Sequence, residues 1–272
     1  MLGKLIRHEW KDSCLFMIIL NGTILVLSIL GAFFFRSADI SDLSYDNPLH
    51  GLMYGTYMMV YVVGIVVLFF GSTIYFYARF YRNLYTDQGY LMHTLPVNEH
   101  ELIFSKLIVA MIWKIISAII VLFGIELIAY SAYDGDLPTI PEIQEKIIDW
   151  GVEPGRLALG TFLGLLFAFG YALYTYFLGY ASVSIGQFAV KNKVIASIGA
   201  FLGIRFIIRL IRNIFSAFIV EMRFFSALVG PIENTSENMI KALAISNLLI
   251  YLVCFVLYLI THQIMKNRLN LE

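Results

Sequence analysis

Six stretches of this chain are apolar for long enough to cross a lipid bilayer, and that length requirement constrains the fold more than any other feature. A helix advances about 1.5 Å per residue, so roughly 20 apolar residues are needed to cross a hydrocarbon core about 30 Å thick. The stretches cover residues 14–35, 51–76, 107–130, 157–185, 194–219 and 242–260. The first is too long for the apolar part of a secretory signal and is read as a retained span. The fifth is interrupted by Arg205, Arg209 and Arg212 before it resumes over 214–219. Hydrophobic residues make up 60% of the 272 positions and charged residues only 14%, with a mean hydropathy of +0.79. A soluble domain of this size needs more polar surface than that. The expectation is an all-α integral membrane protein, one transmembrane domain over 1–272 with six transmembrane helices. Four spans is the fallback if the arginine-bearing segment and a neighbour do not cross.

All six prolines, Pro48, Pro96, Pro138, Pro141, Pro154 and Pro231, fall in the proposed connections, so the spans are expected to be unbroken by proline. Orientation follows from Lys and Arg in the short flanking loops. One set of flanks holds ten of them, at 4, 7, 11, 79, 82, 106, 191, 193, 266 and 268. The other holds five, at 36, 146, 156, 223 and 241, and collects most of the acids. Both termini are therefore expected in the cytoplasm. Basic and acidic residues balance at 19 each, which offers no bulk positive field for a nucleic acid. Cys14 and Cys254 sit in apolar runs near opposite ends and read as small buried hydrophobes without metal-ligand spacing.

The polar pieces carry their own patterns. Residues 1–13 mix Leu2, Leu5, Ile6 and Trp10 with Lys4, Arg7 and Lys11, as an interfacial helix on an anionic leaflet would; a solvated tail is the alternative. Residues 79–106 lie on the cytoplasmic side yet display Tyr85, Tyr90, Leu91, Met92 and Leu95 in place of linker residues. Such a segment either docks on a partner or lies on the bilayer surface. Thr86 or Asp87 can cap a short helix, Pro96 marks a break, and Asn98 with Glu101 fits the start of a helix entering the third span. In the outer loop 132–156, Thr139 and Glu142 form a possible capping box, Pro141 suits a first turn, and Ile140, Ile143, Ile147 and Trp150 share a face. Residues 220–241 are read as an outer or re-entrant segment.

Ionisable groups inside a span are costly, so Lys114, Glu126, Arg205, Arg209 and Arg212 need a reason. The three arginines, at i, i+4 and i+7, share a helix face. They either line a polar path, pair with Glu126 or Glu221, or sit near headgroups because the span is shorter than drawn. Lys114 is expected to snorkel toward the cytoplasmic interface. No phosphate loop, zinc-protease motif, nucleophile elbow or Cys/His cluster is present, so no catalytic residue, metal or cofactor is assigned and the chain is not read as an enzyme.

The stretch Asp87-Gln88-Gly89-Tyr90-Leu91-Met92-His93-Thr94-Leu95-Pro96, followed by Ser105-Lys106, resembles the segment carried after the second span by membrane subunits of type 2 ATP-binding-cassette (ABC) exporters, especially small permeases of Gram-positive bacteria. The resemblance implies that Tyr85, Thr86, Asp87, Gln88, Gly89, Tyr90, Leu91, His93 and Leu95 belong to a cytoplasmic coupling helix that fits a groove on a separate ATPase subunit. It also implies that 1–13 is a connecting helix, and that 212–231 forms short re-entrant helices on the outer face. ATP and Mg would be held by the partner, two permease chains would pair as a homodimer or heterodimer, and the complex would sit in a bacterial cell membrane. Peptides, lipids and drug-like amphiphiles all remain open as cargo. Tyr171, Tyr174, Tyr176, Phe177 and Tyr180 could contact it or form a packing stripe. Outside the resemblance, an ion-driven secondary transporter would be expected to show an internal repeat or broken helices, which this sequence lacks. A non-transporting scaffold or sensor is the third class.

Overall fold

Backbone N–H and C=O groups in hydrocarbon must pair within the protein, and the α-helix does this within a single segment. The computed structural model of the chain describes residues 2–36, 48–86, 98–133, 138–149, 153–189, 191–229 and 235–267. Among them are seven helices and no strand: α1 (Leu2–Arg36), α2 (Pro48–Tyr85), α3 (Glu99–Ala132), α4 (Ile140–Asp149), α5 (Pro154–Gly186), α6 (Lys193–Val229) and α7 (Thr235–Asn267). All but α4 contain a stretch long and apolar enough to cross a membrane. The chain is a multi-pass membrane protein, and the large apolar side chains left uncovered along these helices are what a lipid solvent would touch.

The helices outrun the hydropathy boundaries. α1 continues unbroken through residue 13 into the first span, so residues 2–13 are not a separate helix. α2 extends to Tyr85, well past residue 76, and α6 runs to Val229 as one helix of 37 residues, about 55 Å at about 1.5 Å per residue. Short re-entrant helices over 212–231 are therefore not what the backbone forms up to Val229. Between Ile204 and Val229 there is neither Gly nor Pro to end a helix, and arginine is a good helix former. Prolines fall at helix starts: Pro48 and Pro154 open α2 and α5, and Pro141 lies in the first turn of α4, where a missing N–H costs nothing. At α4 the backbone N–H of Thr139 donates to Glu142 Oε2 at 3.2 Å, one half of the expected capping box.

The chain divides into two compact units. The first comprises Met1–Ala78 and Glu101–Glu145. Here α1 buries Glu9, Ser13, Met17, Asn21, Ile24, Ser28, Gly31 and Phe35, a single stripe at steps of three and four. Ile24 and Phe35 join Tyr61, Leu68, Val121 and Ile128 in one apolar cluster. Small residues allow the close approach: a Cβ added at Gly31 would strike the Tyr57 ring, and one at Gly124 would strike Ser28 and Tyr61. The hydroxyl pair Ser28–Tyr61, 3.1 Å apart, and the bonds from Tyr57 to the Leu27 carbonyl and from Ser131 to the Ala32 carbonyl are polar ties across this apolar contact.

The second unit comprises Arg79–His100 and Lys146–Glu272. α7 is tied to α5 by donors spaced i, i+4 and i+7. Asn247 Nδ2 donates to the Leu163 carbonyl at 3.0 Å, Tyr251 OH to Leu166 at 2.9 Å, and Cys254 Sγ approaches the Gly170 carbonyl at 3.8 Å. The buried thiol thus serves the helix contact, in line with its apolar surroundings. α5 meets α6 at Gly186, where an added Cβ would lie 2.7 Å from the Ser197 backbone N and Cα. Asn192, at φ 58°, supplies the left-handed residue ahead of α6, a conformation asparagine tolerates better than most.

Candidate functional site

Of the nine residues assigned to coupling, Tyr85 and Thr86 are described, while Asp87, Gln88, Gly89, Tyr90, Leu91, His93 and Leu95 lie outside the described residues. What the structure supplies is the anchoring of the two flanks of that segment, both within the second unit. Upstream, the last turns of α2 are buried at Arg79, Phe80, Asn83, Leu84 and Tyr85. Phe80 stacks on Tyr180 of α5 with centroids 3.9 Å apart and planes 11° apart, and Tyr85 OH pairs with Ser184 Oγ at 2.7 Å. The matching part of α5 loses its lipid-facing side: Tyr176 to Ser184 are all buried. The Thr86 hydroxyl donates back to the Arg82 carbonyl at the end of α2.

Downstream, α3 begins at Glu99, immediately after Asn98, as the sequence predicts. His100 in its first turn hydrogen-bonds Tyr258 of α7 through Nδ1 and stacks on His262, centroids 4.0 Å apart and planes 16° apart. Tyr258 in turn meets Phe177 of α5 edge-on at 5.8 Å. One flank of 87–97 is thus fixed to α5 and the other to α7, two helices already laced together by the Asn247, Tyr251 and Cys254 contacts. The histidines and Ser184 had no visible role in the sequence, because contacts between residues 99 and 162 positions apart leave no local pattern.

The ionisable residues inside the spans separate into different environments. Lys114, half-buried in the first unit, donates to Thr73 Oγ1 at 3.3 Å and to the Phe69 carbonyl at 3.5 Å, and lies 4.7 Å above the Phe69 ring. It is held between helices, so free snorkelling does not describe it. Glu126 is exposed on α3 and forms no ion pair among the described residues. Arg205, Arg209 and Arg212 are exposed on α6 and likewise form none. Arg205 and Arg212 lie within electrostatic reach of Tyr174 on α5. The tyrosine-rich face of α5 splits: Tyr176, Phe177 and Tyr180 are core, while Tyr171 is more than half exposed.

A second built polar centre lies in the first unit. Glu9 and Lys106 form an ion pair with both side chains about 5% exposed or less. Beside it, Trp10 stacks on Trp113 with centroids 4.6 Å apart, Trp113 Nε1 donates to Ser13 Oγ at 3.2 Å, and Ser13 donates to the Glu9 carbonyl at 2.9 Å. The sequence offers Lys106 as a loop charge and Trp10 as an interfacial aromatic; pairing with Glu9, 97 positions away, makes Lys106 core, while Trp10 is half-buried against the buried Trp113.

Comparison with family models, with curated proteins and with solved structures returns no match. The fold therefore defines the class, a multi-pass helical membrane protein, and the particular role rests on the residues themselves.

Proposed function

We propose that the chain is the membrane-spanning permease subunit of an ATP-driven ABC exporter, lying in a bacterial cell membrane with both termini cytoplasmic. It forms the translocation path as a dimer with a second permease chain, and it is coupled to a separate ATPase subunit that binds ATP and Mg. The observation that carries this reading is the double anchoring of residues 87–97: Tyr85 on Ser184 at one flank and His100 on Tyr258 and His262 at the other. A segment that takes up force from a partner must hand it to the spans, and these contacts lead directly to α5 and α7. Closure of the ATPases would move the segment, and the packed helices would change tilt between inward- and outward-open arrangements. A surface loop with freely hinged ends would absorb the same motion.

The test is a photo-crosslinking amino acid placed at Leu91 in the intact membrane, with one at Tyr133 as the control. An adduct with an ABC-type ATPase at 91 and none at 133 is the expected outcome. Absence of an ATPase adduct at 91, with the chain inserted at its normal level, overturns the coupling assignment.

A further inference from the structure

Three guanidinium groups stand exposed on one face of α6 within its apolar stretch. Arg205 lies 12 residues after the helix start at Lys193, about 18 Å along the axis, and Arg212 about 28 Å along it. With Lys193 set at the near edge of a hydrocarbon core about 30 Å thick, the stripe begins past the midplane and reaches the far headgroup level. Charges at this depth are expensive unless an anion or water meets them. No carboxylate pairs with any of the three among the described residues. Flanking them on the same helix, Leu202, Phe206, Ile207, Ile211 and Ile214 are all more than half exposed. Tyr174 adds a phenol within electrostatic reach of Arg205 and Arg212, and Tyr171, more than half exposed, lies 5.9 Å from it ring to ring.

We propose that Arg205, Arg209 and Arg212, with Tyr171 and Tyr174, form a binding site for the phosphate headgroup of an anionic phospholipid, whose acyl chains lie along the flanking apolar face of α6. The chemistry selects this occupant. A phosphate meets guanidinium in bidentate fashion, and its attached chains cover apolar surface that a free phosphate ion would leave bare. A second copy of the chain offers a poorer match: among the described residues of the apolar helices the exposed carboxylates are Asp12, which pairs with His8 at 3.2 Å, and Glu126, and one carboxylate leaves two of three cations unmet. The site follows from exposed charge in a span and does not depend on any ATPase partner.

The experiment places the full chain in nanodiscs of equal dioleoylphosphatidylglycerol and dioleoylphosphatidylcholine and measures by native mass spectrometry which lipid stays bound. The phosphatidylcholine headgroup carries its own cation beside the phosphate and serves as the comparison without net charge. The wild type is expected to retain phosphatidylglycerol over phosphatidylcholine about tenfold, and the R205Q/R209Q/R212Q variant to show no preference, since each basic residue contributes a few-fold to anionic-lipid binding. R205K/R209K/R212K keeps the charge but loses the bidentate geometry, and should keep only part of the preference. If the triple glutamine variant does not insert, the single variants each lower the preference about two- to threefold. The proposal is overturned if the glutamine variants bind phosphatidylglycerol as the wild type does. It is also overturned if millimolar inorganic phosphate displaces the lipid, which marks a free-anion site, or if E126Q dissociates a dimer that covers this face.

Discussion

Alanine at Asp87, Gly89 and Leu91 together should reduce ATP-driven transport about 100-fold, toward the upper end of what one coupling contact controls, while leaving the chain inserted at its normal level. The three substitutions remove different things: an acceptor that can cap a short helix, the one residue in the segment free to adopt a left-handed backbone, and an apolar knob for a partner's groove. The substitutions leave the anchor residues Tyr85 and His100 themselves unchanged, so the second unit should remain assembled. Transport assays on membrane vesicles, normalised to inserted protein, read the effect directly. Unchanged transport in the triple variant would contradict the assignment of 87–95 to coupling.

The second large effect concerns stability. Lys106→Ala removes the cation of the buried pair with Glu9, and loss of one partner of such a pair costs about 3–5 kcal/mol. Both side chains are nearly inaccessible, so solvent does not screen the loss. Glu9→Gln combined with Lys106→Met removes both charges and should recover most of the stability, since a neutral, well-packed replacement is often as stable as the pair. Melting in detergent measures the ordering: wild type and double variant close together, Lys106→Ala well below. The stacked Trp10–Trp113 pair gives a local check, because its fluorescence should change with the loss of this contact before global unfolding. A Lys106→Ala protein that melts like the wild type would show that the pair carries no such load.

Six apolar helices were legible because the bilayer imposes a length that a reader can count, and each run contains little that stops a helix. Their ends were less legible. Hydropathy marks where hydrocarbon stops, but the helix stops where its hydrogen bonding does, so α2 continues through Arg79 to Tyr85 and α6 through its arginines to Val229. The spacing of Arg205, Arg209 and Arg212 gave their common face; that they meet no carboxylate among the described residues depends on neighbours that spacing does not specify. The same holds for Glu9 with Lys106 and Tyr85 with Ser184, where the partners are brought together by packing between distant helices. Cys254 and the Asn247 ladder follow this logic too, since a small polar residue at every third or fourth position of an apolar helix is a contact face only once its neighbour is known.

The most direct measurement is purification of the tagged chain from its native membrane in mild detergent after brief crosslinking, with mass spectrometry of what accompanies it and an assay of ATP hydrolysis. A stoichiometric ABC-type ATPase subunit with vanadate-sensitive turnover is the predicted result. A chain recovered without any ATPase and without nucleotide hydrolysis, after crosslinking has preserved its other contacts, would contradict the exporter assignment.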